Sequence, residues 1–135
     1  MTSADIKQLH PEDIPLWLAV ETATWRLALA ASLPLKRVRP VPRWELIQTA
    51  GACYHGSREI QVALRRSWSK THGWSKRFQR YYILDTIMHE VAHLAAGHAA
   101  DHGEKWVREF ARIMILAEDI NIRLDLENSG AILKP

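Results

Sequence analysis

The sequence predicts an α+β domain, and three patterns along it predict that class. Apolar residues recur at helical spacing from Leu16 to Ala31, residues near position 60 alternate as in a strand, and two further helical stripes occupy 75–96 and 103–117. At 135 residues the chain fits one domain, 1–135, because a second core needs more chain. A 47% hydrophobic content supplies that core without help from disulfides.

The first helix is signalled by Pro11-Glu12-Asp13-Ile14-Pro15, with Asp13 as N-cap and Pro15 in the first turn. Leu16, Val20, Ala23, Leu27 and Ala30 or Ala31 carry its apolar stripe to about Ser32, and Pro34 stops it. Pro40 and Pro42 exclude helix between 35 and 43 and predict an extended crossing segment. Residues 44–64 read as β structure, with strands at 45–49 and 59–64 on either side of a turn at His55-Gly56-Ser57. A loop at 69–73 leads into a helix over about 75–96. A second helix follows over about 103–117, with Trp106, Phe110, Ile113, Met114 and Ala117 as its stripe. Ile120, Ile122, Leu124 and Leu126 alternate with polar residues, which predicts a short edge strand or an extended tail.

A single cysteine, Cys53, rules out an intrachain disulfide and any all-cysteine zinc ribbon; it reads as a buried strand residue. Mean hydropathy is −0.21, no apolar run is long enough to cross a bilayer, and the first residues lack a basic and apolar leader. The expectation is a cytoplasmic protein with no membrane partner. Net charge is +3 but unevenly placed: residues 1–80 carry 13 Lys/Arg against 6 Asp/Glu, and 81–135 carry 5 against 9. Between 58 and 80 the only acid is Glu59, while cations including Arg65, Arg66, Lys76 and Arg77 are interleaved with Trp68, Trp74 and Phe78. Cations hold phosphates and aromatic rings stack on bases, so this stretch is a candidate contact for single-stranded DNA; the alternative is a solvated basic surface with core aromatics.

The chemistry is concentrated in His89-Glu90-Val91-Ala92-His93, an H-E-x-x-H sequence. On a helix, positions i and i+4 share a face, so both imidazoles can reach one ion at about 2.0–2.1 Å. Glu90 is offset around the helix and can act as general base without being a ligand. Zinc makes water at such a site acidic, toward a pKa of about 7, and the carboxylate takes the proton as that water attacks a carbonyl. Helical geometry separates the histidines from the core: Leu84, Ile87, Met88, Val91 and Ala95 form the apolar face, while His89 and His93 lie nearly opposite, beside Tyr82, Thr86, Ala92 and Ala96.

A zinc hydrolase needs a third protein ligand. Gly97 ends the motif helix as a C′ residue, and both His98 and His102 follow it. His98 comes directly after the helix end, whereas His102 has a loop in which to swing back, so His102 is favoured. Asp101 or Asp85 can hydrogen-bond the outer nitrogen of a ligand histidine, and Tyr82 is a candidate oxyanion donor on the metal face.

Met88-His89-Glu90-Val91-Ala92-His93 followed by His102-Gly103-Glu104-Lys105-Trp106 resembles the SprT-like metallopeptidases, in which H-E-x-x-H is followed by H-G-x-x-[FW]. Gly51-Ala52-Cys53-Tyr54 and Glu59-Ile60-Gln61-Val62-Ala63-Leu64 look like the β-hairpin that precedes the motif helix in that family. The metzincin pattern fits worse, because Ala96 and Ala99 stand where it needs Gly and His. The resemblance spans about 44–117. It implies one Zn2+ per chain held by His89, His93 and His102, with Glu90 as catalytic base and a protein or peptide as substrate. It implies that the aromatic at Trp106 packs the following helix against the motif helix. It also implies an N-terminal helix, a small antiparallel β-sheet and two helices forming the site. The Cys-rich zinc ribbon that many relatives append has no counterpart here, so the expectation is a minimal form. Spartan-type relatives cleave proteins crosslinked to DNA, which gives the basic stretch a possible role.

Overall fold

The computed structural model describes residues 14–43, 50–65 and 76–127, without the side chains of 42, 43, 65 and 76–81. These residues form helix α1 (Ile14–Ala30), strands β1 (Arg37–Arg43), β2 (Gly51–Tyr54) and β3 (Glu59–Arg65), and the long helix α2 (Lys76–Ala96). A 3-10 turn (His98–Ala100), helix α3 (Glu104–Asp119) and a short helix α4 (Ile122–Glu127) complete them. The class is α+β, as expected. The N-cap expected at Asp13, the strand expected at 45–49 and the loop at 69–73 lie outside the described residues.

Helix α1 buries Leu16, Trp17, Val20, Ala23 and Leu27, the stripe expected from its periodicity. It ends in a left-handed residue, Ser32 (φ 57), whose N–H bonds to the Leu29 carbonyl while the Leu33 N–H bonds to that of Ala28. That pair of bonds satisfies carbonyls the helix end would otherwise leave open, so the stop is made two residues before Pro34.

The sheet corrects one expectation. It is mixed rather than antiparallel, in the order β1-β3-β2, with β2 antiparallel to β3 and β1 parallel to it. The segment expected to cross the molecule is itself the edge strand β1. Its prolines permit this for a physical reason: the Arg37 N–H donates to the Arg58 carbonyl, so odd-numbered residues of β1 face β3. Pro40 and Pro42 therefore place their missing donors on the outer edge, where the ladder loses nothing. Arg37 and Glu59, direct neighbours across the two strands, form an ion pair at 3.2 Å. β3 is central, and Ile60, Val62 and Leu64 are fully buried on one face.

Helix α2 packs on β2 and β3, α1 covers β1 and α2, and α3 lies along α2 on the other side. The core sits between them: Ile83, Ile87 and Val91 of α2 and Ile113 of α3 have no exposure. Each such side chain contributes about 1.5–3 kcal/mol relative to an exposed position. The second correction concerns residues 122–127, a helix rather than a strand or tail. Asn121 (φ 55) closes α3 through its N–H to the Glu118 carbonyl, and a new helix starts immediately. Alternate residues are also partly i and i+4 neighbours, so Ile122 and Leu126 share one helical face and bury it against α1, while Leu124 remains exposed. Arg26 of α1 ties this corner down through Asp125 and the Ile120 carbonyl. Among the described residues, no helix is long and apolar enough to cross a membrane.

Candidate metal centre

The motif occupies the last two turns of α2, and the chain that follows returns a third histidine to it. Gly97 (φ 92) adopts a conformation that glycine reaches without a Cβ penalty, and its N–H caps the His93 carbonyl. The 3-10 turn and a left-handed Asp101 (φ 47) reverse the chain, and the Gly103 N–H bonds back to the Ala100 carbonyl. His102 thereby lands over His89 and His93, one residue before the Gly103 carbonyl accepts the first bond of α3 from Val107.

The Nε2 atoms of the three histidines form a nearly equilateral triangle, with sides of 3.1 Å (His89 to His93), 3.0 Å (His93 to His102) and 3.1 Å (His102 to His89). Its centre is about 1.8 Å from each nitrogen, so the three imidazoles would hold one ion between them at close to the usual 2.0–2.1 Å. Three imidazole nitrogens converging on one point cannot satisfy one another by hydrogen bonding, because ring N–H vectors aimed at a shared centre collide. A cation does satisfy them. His89, His93 and His102 lie close enough to hold one metal ion. Their electrostatics agree: burial first, then the neighbouring imidazoles, lower the pKa of His93 to about 4 despite the opposing Asp101. Burial and His102 lower that of His89, against Asp85. Both are neutral at pH 7, the form a metal requires.

Trp106 builds the wall behind the triangle. Its ring lies 4.8 Å from that of His89, 5.0 Å from His102 and 5.5 Å from His93, and it stacks on Phe110 at 5.0 Å. Its indole N–H reaches the His89 carbonyl at 3.4 Å. The expected packing of α3 on the motif helix is thus made through this aromatic. Asp101 sits where a carboxylate can orient a ligand, 3.4 Å from Nδ1 of His102.

Glu90, between the two motif histidines in the chain, is buried under β2. Burial pushes its carboxyl up to about 7. The strand approaches closely here because position 51 is a glycine: a Cβ there would stand 2.6 Å from Cγ2 of Thr86 and 3.0 Å from Cγ of Glu90. Cys53, next on the same face of β2, is pushed up to about 12 by burial and by the charge of Glu90. The buried side of α2 is accordingly wider than the apolar stripe predicts and includes Thr86, Ala92 and Ala96.

The other expected site residues divide. Tyr82 lies seven residues before His89, about 10 Å along the helix axis, with its hydroxyl buried; the structure does not bring it to the triangle. His98 faces His55 of the β2–β3 turn instead of the triangle, ring centroids 5.5 Å apart. Arg66 lies outside the described residues. Of Arg65, Lys76 and Arg77 only the backbone is described, at the end of β3 and the start of α2. Sequence reasoning missed Gly51 and His55, although the alternation of positions 51, 53 and 55 along one strand face could have pointed to both.

The fold and the three-histidine cluster together define an α+β chain with a site able to hold a metal. Comparison with family models, with curated proteins and with solved structures found no match for this chain.

Proposed function

We propose that this protein is a zinc-dependent metallopeptidase of the SprT-like kind, with His89, His93 and His102 as metal ligands and Glu90 as general base. The observation that carries the reading is the histidine triangle with a buried carboxyl on the same two helical turns. All-nitrogen ligation by three protein ligands suits zinc in a hydrolytic site, whereas a structural zinc is enclosed by four. Zinc, when bound, polarises a carbonyl and makes water acidic. The chain supplies the rest. A carboxyl with a pKa of about 7 can take a proton at neutral pH and return it to a leaving amine. Trp106, stacked on Phe110, packs an apolar surface against the three histidine rings. Among the described residues β2 is an edge of the sheet: the Ala63 N–H donates to the Ala50 carbonyl, so in this antiparallel pairing the peptide groups of Cys53 face away from β3. An extended peptide can add to the sheet there, alongside the motif helix.

The test is metal analysis of the purified chain together with cleavage of an unfolded protein. One zinc per chain is expected, with hydrolysis abolished in Glu90→Gln while the metal is retained. Less than about half an equivalent after zinc supplementation at neutral pH defeats the metal assignment. Cleavage by Glu90→Gln at the wild-type rate removes Glu90 as the base.

A further inference from the structure

Three residues of the hairpin point in turn onto the motif helix. Gly51 meets Thr86 and Glu90, Cys53 lies within electrostatic reach of Glu90, and His55, where the strand runs into its turn, meets His98, five residues past His93, and lies within electrostatic reach of His93. β2 therefore runs along α2 in the direction of the motif, and its helix-facing positions end in an imidazole at the C-terminal end of the motif helix, against His98. That imidazole is not a ligand. Its ring sits edge-on to His98, 71° between planes, and the two histidines line an open cleft with Cys53, Tyr54, Gly56 and Ser57. The walls differ: Trp106 lies against the rings of the triangle, while the His55 side carries hydrogen-bonding nitrogens.

We propose that His55 is a further catalytic residue, which donates its ring N–H to the substrate oxygen that gains negative charge during hydrolysis, and that His98 positions it. The proposal rests on the peptidase reading above and adds a donor for which the described residues offer no other candidate at that site. A hydrolytic centre needs a donor aimed at the developing oxyanion, since preorganised donors are among the largest contributions to such catalysis. Tyr82 is two turns away, and Glu90 is occupied with the proton. A peptide laid along the edge of β2 passes His55 as its backbone reaches the metal site. A neutral imidazole keeps one N–H, and burial together with His98 holds His55 below the ordinary histidine range, so it is a neutral donor at pH 7.

The experiment uses the zinc-loaded full chain and a phosphinic peptide, whose tetrahedral anionic centre imitates the charged oxygen and which binds without being cleaved. Calorimetry should show His55→Ala binding it about tenfold or more weakly than wild type, at unchanged zinc content. His98→Ala should give a smaller loss that vanishes in a His55→Ala background, as a residue acting through His55 requires. On a cleavable peptide, His55→Ala should lower kcat by about 100-fold with little change in KM. Equal affinity of wild type and His55→Ala for the phosphinic peptide, no binding to wild type, or loss of zinc in His55→Ala overturns the proposal. A wild-type chain that binds the probe in a His55-dependent way yet hydrolyses no peptide overturns the peptidase reading instead.

Discussion

The two faces of helix α2 are built on opposite principles. Toward α1 and the sheet it presents Ile83, Ile87 and Val91, all fully buried. Toward α3 it presents His89 and His93, half-buried, with their nitrogens aimed at a point shared with His102 rather than at hydrogen-bond partners. The first face is held by area removed from water and is insensitive to pH or metal. The second brings together groups that repel until a cation arrives, so its order costs stability in the metal-free protein. One helix thus carries both the anchor of the fold and a cost to it. Each face should fail in its own way when altered.

The largest difference concerns the metal. His102→Ala leaves two imidazoles and should weaken zinc by on the order of 100-fold or more, while slightly raising the denaturation midpoint of the metal-free protein, because one of the crowded groups is gone. His98→Ala should keep the metal, because its ring faces His55. A zinc titration of both variants decides this, and metal loss from His98→Ala with retention in His102→Ala overturns the ligand set. On the other face, Ile87→Ala removes a side chain with no exposure and should cost about 2–5 kcal/mol in chemical denaturation. A loss below about 1 kcal/mol would show that the core face is not the anchor.

The comparison also explains what could be read from the sequence. The pairing of His89 and His93 followed from helix geometry alone, because residues four apart on a helix have one relation to each other. His102 followed nearly as directly, since a capping glycine and a short loop leave few places for it. Helices α1 to α3 were legible from long periodic stripes. Residues 122–127 were not, because alternating apolar residues satisfy a strand and, at every second repeat, a helix. The parallel pairing of β1 and the meeting of His55 with His98 are contacts between segments far apart in the chain. Packing sets these, and no local pattern encodes them. Gly51 looks like any turn glycine until α2 is seen against it.

Glu90 stands on the seam between the faces, and pH separates its contribution from theirs. In the metal-free protein its carboxyl ionises near 7, against 4.5 for an unperturbed glutamate. Between those values the unfolded chain has lost a proton the folded chain keeps, so stability falls as pH rises, by on the order of 3 kcal/mol once pH exceeds 7. His93, lowered to about 4 from 6.5, acts in the opposite sense: its contribution is present above 6.5 and is lost as pH falls toward 4. His89 is lowered too and adds to that trend. The two slopes oppose each other in wild type. Glu90→Gln removes the first, so the variant should gain stability with pH from about 4 to 6.5 more steeply than wild type and exceed it above pH 7. Parallel curves for the two proteins would mean that Glu90 is not held in its buried, protonated form.

The smallest effect tests the seam itself. Gly51→Ala places a Cβ 2.6 Å from Thr86 and 2.9 Å from the Gln61 carbonyl, distances that force β2 away from α2. Such overpacking costs about 1–3 kcal/mol. The strand cannot move without uncovering Glu90, so water should reach the carboxyl and bring its pKa down toward the ordinary glutamate range. The histidine triangle, built by α2 and the loop into α3, does not touch β2 at this point and should keep its metal affinity. Gly51→Ala should therefore lose stability modestly, bind zinc as wild type does, and shift the acidic limb of any hydrolysis to lower pH. Denaturation, zinc titration and a pH–rate profile on one preparation check all three. A variant that loses its zinc instead would mean that β2 supports the metal face directly, and that the two faces of α2 are not independent.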